Sequence, residues 1–319
     1  MKTNRATALV AGVVLAGVGG VAAMSVEAGA VVASTPAPAA AAGASAGGTT
    51  NPPAPAPPTP LQIIQGSVAK TETGTSRIDG VVEVVGSPNV PDGTLRYSVD
   101  GSYDFKAQTG EFTIDDRALP FAFVDRTIID GSTVYLQPTS AATTGVWLKV
   151  DVPRLAQYET QHASYESQAP EYDPAYALEL LAGASGNVTS LGRDQVMGTP
   201  ATHYSVPISM DKARTSAADP VVATDLEHEI EHLGTNQSTA DVWVSDTGRL
   251  VKVSYSFALS SQDNVFVVDP LKPANSASQT LNSGTERATV TISDYGAPVY
   301  AKVPCSCQVV DFVGALAGP

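Results

Sequence analysis

Two short stretches of this chain have residue types and spacing that could do chemistry: His228-Glu-Ile-Glu-His232 and Cys305-Ser-Cys307. The first matches H-E-x-x-H. On a helix that spacing sets two imidazoles one turn apart, able to share a zinc ion, with Glu229 as general base. Residues 219–233 have helical character, so the local context is met. The longer metzincin pattern fails, because Gly234 comes one position early and no histidine lies downstream. A third ligand would have to be a carboxylate in a sheet-rich chain. The stretch reads instead as an acidic amphipathic helix with Glu227, Glu229 and Glu231 in water. No metal is expected, and His228 and His232 are only weak candidates for one.

Cys305 and Cys307 are the only cysteines, so no disulfide framework staples the fold. A spacing of one residue strains a mutual disulfide and makes it labile. Soft-metal ligation and redox exchange are alternatives. The expectation is a local Cys305–Cys307 bridge that ties down the C-terminus outside the cell. No G-x-S-x-G elbow surrounds any serine, and no glycine loop of the P-loop or Rossmann type is present. The chain therefore reads as non-enzymatic and without a cofactor.

Charge narrows the partners. Acidic residues outnumber basic ones 32 to 18, for a formal net charge of -14. Nucleic-acid binding needs a basic footprint to release phosphate counterions, and none is visible. Direct attraction to an anionic lipid surface is disfavoured for the same reason.

The first 30 residues read as an export segment. A basic start, Met1 to Arg5, precedes the small apolar run Ala6 to Val26, and Ala28 and Ala30 fit the rule for signal-peptidase cleavage. An uncleaved anchor is the rival, since the run approaches the ~20 residues that span a bilayer. A bacterial lipoprotein signal would need a cysteine right after that run, and there is none. Residues 31–60 are an Ala/Pro-rich linker, extended over on the order of 90 Å if polyproline-like. The folded domain is placed at 61–312, with 313–319 as a C-terminal tail.

Within that domain, Asp241 to Leu259 is the clearest element. Val251, Val253, Tyr255, Phe257 and Leu259 alternate with polar or small residues, and Asp246-Thr-Gly-Arg249 links them to the strand Asp241–Ser245. This is an antiparallel hairpin. Further strands are read at 78–85, 95–105, 111–115, 121–129, 133–137, 146–150, 188–196, 202–208 and 286–293. Gly101 interrupts an apolar face and suggests a bend or bulge. Residues 62–70 are ambiguous between helix and strand. Asp173 to Leu181 starts as a capped helix, and 263–283 reads as a long loop. His203 sits opposite Tyr204, Val206 and Ile208, which favours a structural role.

Three stretches carry a resemblance. Gly192-Arg-Asp-Gln-Val-Met-Gly-Thr-Pro-Ala-Thr-His-Tyr-Ser-Val206, Asp241-Val-Trp-Val-Ser-Asp-Thr-Gly-Arg-Leu-Val251 and Ser293-Asp-Tyr-Gly-Ala-Pro-Val-Tyr-Ala-Lys-Val-Pro304 are similar to the central, hairpin and C-terminal segments of the actinobacterial LppX/LprG-like lipoproteins, related in fold to LolA carriers. That resemblance implies an α+β fold, a strongly curved antiparallel half-barrel whose concave face is closed by helices. It also implies an apolar cavity for acyl chains of lipids or glycolipids, and it brings no catalytic residues. The family's lipobox cysteine is missing here, and Cys305-Ser-Cys307 is foreign to the family.

The expectation is an exported protein of the cell envelope, secreted or tethered to the outer face of the cytoplasmic membrane. Its partners would be lipid or glycolipid acyl chains near a membrane. Cavity candidates are Val82, Val84, Leu95, Tyr97, Val99, Phe112, Ile114, Phe121, Phe123, Leu136, Val242 and Val244, with Leu178 and Leu181 from a helix. An extracytoplasmic interaction or sensor module without lipid cargo is the alternative, and a zinc hydrolase at His228-Glu229-x-x-His232 stands third.

Overall fold

Strands that alternate apolar and polar residues bury one face and wet the other, so a chain of such strands needs helices on one side only. A computed structural model describes residues 56–85, 93–116, 123–137, 145–161, 174–217, 223, 226–227, 230, 235–259, 264–266, 278–280 and 284–317. In chain order the strands are β1 (Thr75–Val85), β2 (Thr94–Asp104), β3 (Thr109–Asp116), β4 (Phe123–Asp130), β5 (Thr133–Gln137), β6 (Trp147–Asp151), β7 (Thr189–Val196), β8 (Thr199–Ser209), β9 (Gln237–Ser245), β10 (Leu250–Leu259), β11 (Asn264–Phe266), β12 (Ser278–Thr280), β13 (Gly284–Ser293) and β14 (Val309–Asp311). The helices are α1 (Pro60–Thr71), α2 (Val152–Gln161), α3 (Pro174–Ala182), α4 (Met210–Ser216) and α5 (Phe312–Ala317).

Twelve strands form one open sheet in the order β14-β6-β5-β4-β3-β2-β1-β13-β10-β9-β8-β7. All pairings are antiparallel except β14 on β6, which is parallel. The expected mostly antiparallel sheet with few helices is what the chain builds. β11 and β12 pair only with each other, so the stretch read as a long loop contains a small ladder.

α1 resolves the ambiguity at 62–70 in favour of helix. The Gln62 N–H donates to Thr59 Oγ1 (3.3 Å) and the Thr59 N–H donates to Gln62 Oε1 (2.9 Å), a capping box with Pro60 in the first turn. Its Ile64 and Val68 face the sheet, and Lys70 donates to the Thr247 carbonyl (3.0 Å) in the β9–β10 turn.

Two irregularities are not where alternation puts them. Gly101 marks no bulge: the β1–β2 and β2–β3 registers run straight through it. A Cβ at Gly101 would lie 2.4 Å from the Phe112 ring and 2.2 Å from the Glu111 carbonyl oxygen, so the glycine makes room for its cross-strand neighbour. The bulge lies instead between Leu250 and Lys252. It turns Val251 to the outer face, beside Val196, Ala201 and Trp243, while Leu250, Val253, Tyr255 and Phe257 face inward. A second register shift lies between Ser190 and Gly192, where Gly192 has φ 110°.

The chain's last described residues are not a loose tail. Residues 294–308 run from β13, in the middle of the sheet, to β14 at its edge. Ala301 and Val309 pack on Ile128, Tyr135 and Trp147 of the outer face on the way. α5 then buries Phe312 and Val313 in the main apolar layer, its start fixed by the Gly314 N–H donating to Asp311 Oδ1 (3.0 Å) and by the Arg154–Asp311 ion pair (2.9 Å).

Candidate ligand-binding face

The inner face is one continuous apolar layer. Every strand of the large sheet except the two edges, β7 and β14, contributes buried side chains to it, and all five helices, α1 to α5, pack against it. Of the cavity candidates, Val82, Val99, Phe112, Ile114, Leu136, Leu178, Leu181, Val242 and Val244 lie in this layer, with Tyr97 partly buried at its margin. The structure thus brings together residues drawn from both halves of the sheet and from α3. Val84, Leu95 and Phe123 lie on β1, β2 and β4, but their side chains are outside the described residues. Phe121 is also outside them, as are His228 and His232. Two carboxylates enter the layer that sequence patterning did not single out: Glu179 on α3 and Glu286 on β13, both buried. Glu286 was legible in principle, since it shares parity with Ala288, Val290 and Ile292.

The outer face is polar and paired. Arg77 bridges to Asp100, Arg126 to Glu111, and Arg193 to Asp246 (2.5 Å). His203 stacks on Trp243 with ring centroids 4.1 Å apart, and its Nε2 lies 2.9 Å from Asp241 Oδ1, which gives this histidine the structural setting expected of it. Lys252, the neighbour of Trp243 on β10, lies over the same indole, 4.3 Å from its centroid. The indole N–H donates to Asp194 Oδ2 (2.8 Å), and this bond above all holds the Asp194 carboxyl below the usual carboxylate range.

A cavity of about 540 Å³ opens on this outer side, between the β7–β8 turn, the β9–β10 turn and the ends of β1 and β13. Arg77, Asp79, Asp246 and Asp294 line it together with Val196, Met197, Val251 and Tyr295. Burial pushes the Asp79 carboxyl up, helped by a hydrogen bond with Asp100. Met197 is 75 % exposed at φ 48°, a left-handed position that Asn or Gly would take at less cost. Tyr295 closes one end: its hydroxyl donates to the Leu250 carbonyl (2.5 Å) and lies 3.3 Å from Thr71 Oγ1, while Arg249 sits 4.6 Å over its ring. Burial pushes the Tyr295 hydroxyl up to about 12.

Cys305 and Cys307 are exposed and free rather than bridged. Cys305 caps a short 3-10 turn, Ser306–Gln308, and its Sγ accepts the Cys307 N–H at 3.4 Å. That turn satisfies the backbone locally without a bond between the sulfurs. Among the described residues, no three His, Cys, Asp or Glu side chains cluster as metal ligands.

No family model matches the chain. It is 26 % identical over 177 residues to an uncharacterized 31.2 kDa protein of Streptomyces griseus, covering 54 % of this chain and 50 % of that one. The chain thus spans about half the length of this curated relative. In structure it is similar to LprF from Mycobacterium bovis, with 16 % identity, a TM-score of 0.40, and coverage of 77 % of this chain and 97 % of that one. It is similar to the Mycobacterium tuberculosis lipoprotein LppX at 13 % identity and TM-score 0.40, over 76 % of this chain and 97 % of that one. A LolA superfamily protein from Nitrosomonas europaea matches at 9 % identity and TM-score 0.28, over 78 % of this chain and 96 % of that one. The chain is similar to the LppX/LprG-like lipoproteins of LolA-like fold. The architecture stands on the strand order itself.

Proposed function

We propose that the chain is a non-enzymatic lipid-binding protein that shelters acyl chains against its inner face. The observation that carries this reading is the continuity of the apolar layer across the sheet and under five helices. A ligand entering between sheet and helices would leave water at a gain of roughly 0.8 kcal/mol per CH₂. Among the buried polar residues, the carboxylates Glu179 and Glu286 are suited to orient a headgroup hydroxyl or amine. The three motifs that resemble LppX/LprG-like lipoproteins support the same reading. The proposed location is extracytoplasmic, secreted or held at the outer face of the cytoplasmic membrane by residues 1–30. No helix among the described residues is long and apolar enough to cross a membrane.

Native mass spectrometry of the chain, purified from an actinobacterial host and extracted for lipids, tests this. Discrete acyl-lipid adducts are expected, and Val99→Gln should lower lipid uptake more than it lowers the unfolding midpoint. A clean unliganded mass with no uptake of added lipid would sink the proposal. The second reading, an extracytoplasmic interaction or sensor module, draws on the outer cavity beside Met197 and on inner side chains such as Val242 at 0 % exposure. It predicts that Met197→Asp abolishes partner capture and leaves lipid content unchanged. One zinc per chain after purification without a His-tag would instead revive hydrolysis at His228, Glu229 and His232.

A further inference from the structure

Free cysteines are among the most buried residue types, because a thiol packs as a small apolar group. This chain does the opposite. Its only two cysteines are both exposed, with a single residue between them, on the segment that crosses the outer face toward β14. A packing role is therefore absent for either, and what remains is the chemistry of two thiols held together in water. The 3-10 turn fixes them asymmetrically: Cys305 Sγ accepts the Cys307 N–H at 3.4 Å, so negative charge on that sulfur already has a donor.

We propose that Cys305 and Cys307 form a dithiol–disulfide exchange site, with Cys305 as the attacking thiol and Cys307 as the resolving one, acting on an accessible disulfide. The Cys305 thiolate attacks one sulfur of the substrate disulfide. A Cys305–substrate S–S bond forms, the substrate's own S–S bond breaks, and the second substrate sulfur departs as a thiolate. Cys307, deprotonated, then attacks Cys305 Sγ, forms the internal disulfide and releases the first substrate sulfur. The pair loses two electrons and two protons, and the substrate leaves as two thiols. A bridge across a single residue is strained, so the exchange is readily reversed and runs toward the internal disulfide only against an excess of substrate disulfide. The titration of the two thiols agrees with these roles. The hydrogen bond between them, with that from the backbone, lowers Cys305, and the same thiol–thiol bond raises Cys307.

The test is to incubate the full chain with a large excess of glutathione disulfide without oxygen, quench with acid and read intact mass. Wild type should lose two hydrogens with no lasting adduct, and Cys307→Ser should retain one glutathione. Cys305→Ser should react at least about tenfold more slowly than Cys307→Ser, because the thiolate is the nucleophile. Stable glutathione on both thiols of wild type, no reaction, or equal rates for the two variants would overturn the proposal. Both side chains are exposed, so serine at either position leaves the fold intact and the comparison readable.

Discussion

Along β1, Ile78 and Val82 enter the apolar layer, while Arg77 and Glu83, each one residue away, reach across the outer face to Asp100 and Arg96 of β2. The same division runs through the sheet. Inside, stabilisation is non-directional and scales with buried area. Outside, it consists of exposed ion pairs, the His203–Trp243–Lys252 row and two small apolar islands, around Trp243 and around Trp147. Exposed pairs contribute little energy but do set which residues lie opposite one another. The inner face decides whether the sheet forms, and the outer face favours its register.

Four substitutions probe this contrast. Ile208→Ala, in the fully buried inner layer on β8, should lower stability by about 3 kcal/mol, read as a shift in the urea midpoint at constant slope. Tyr295→Phe removes the hydroxyl bonds to Leu250 and Thr71 and should cost about 1–2 kcal/mol. Because burial raises the Tyr295 ionisation in the folded state, its contribution is fully present below about pH 10. It is lost as pH rises toward about 12, and Tyr295→Phe should flatten the alkaline limb of a stability–pH profile. Thr59→Ala breaks the capping box of α1 and should cost about 1 kcal/mol by the same urea titration. Arg126→Ala loses its pair with Glu111 and its position over Trp147, and should cost less than about 1 kcal/mol, most of it erased by salt. A cost for Arg126→Ala equal to that of Ile208→Ala would break the contrast between the faces.

Much of the sheet was legible because period-two alternation is a local signal. The strand at 133–137 is placed to the residue, and the hairpin of β9 and β10 is where alternation puts it. What alternation cannot reveal is a change of phase. The Leu250/Lys252 bulge moves Val251 to the other face, and only the neighbours on β7, β8 and β9 explain why it goes there. Gly101 failed for the related reason that its cause, the Phe112 ring, sits on another strand. Inner-face candidates from distant strands converge because parity fixes their side of the sheet. The outer cavity was not legible, since its walls come from two turns and two strand ends far apart in sequence.

The position of β13 has a consequence for how the molecule assembles and comes apart. β1 to β6 follow one another as a meander, and so do β7 to β10, each pairing mainly with its sequence neighbour. In the described sheet the two meanders are joined by strand pairing through β13, which pairs with β1 on one side and β10 on the other. Joining them closes contacts between residues some two hundred positions apart, the kind of long-range closure that slows folding. β13 is therefore a keystone laid only after both halves have been made. Until it arrives, each half presents a long unpaired edge open to strands from other chains.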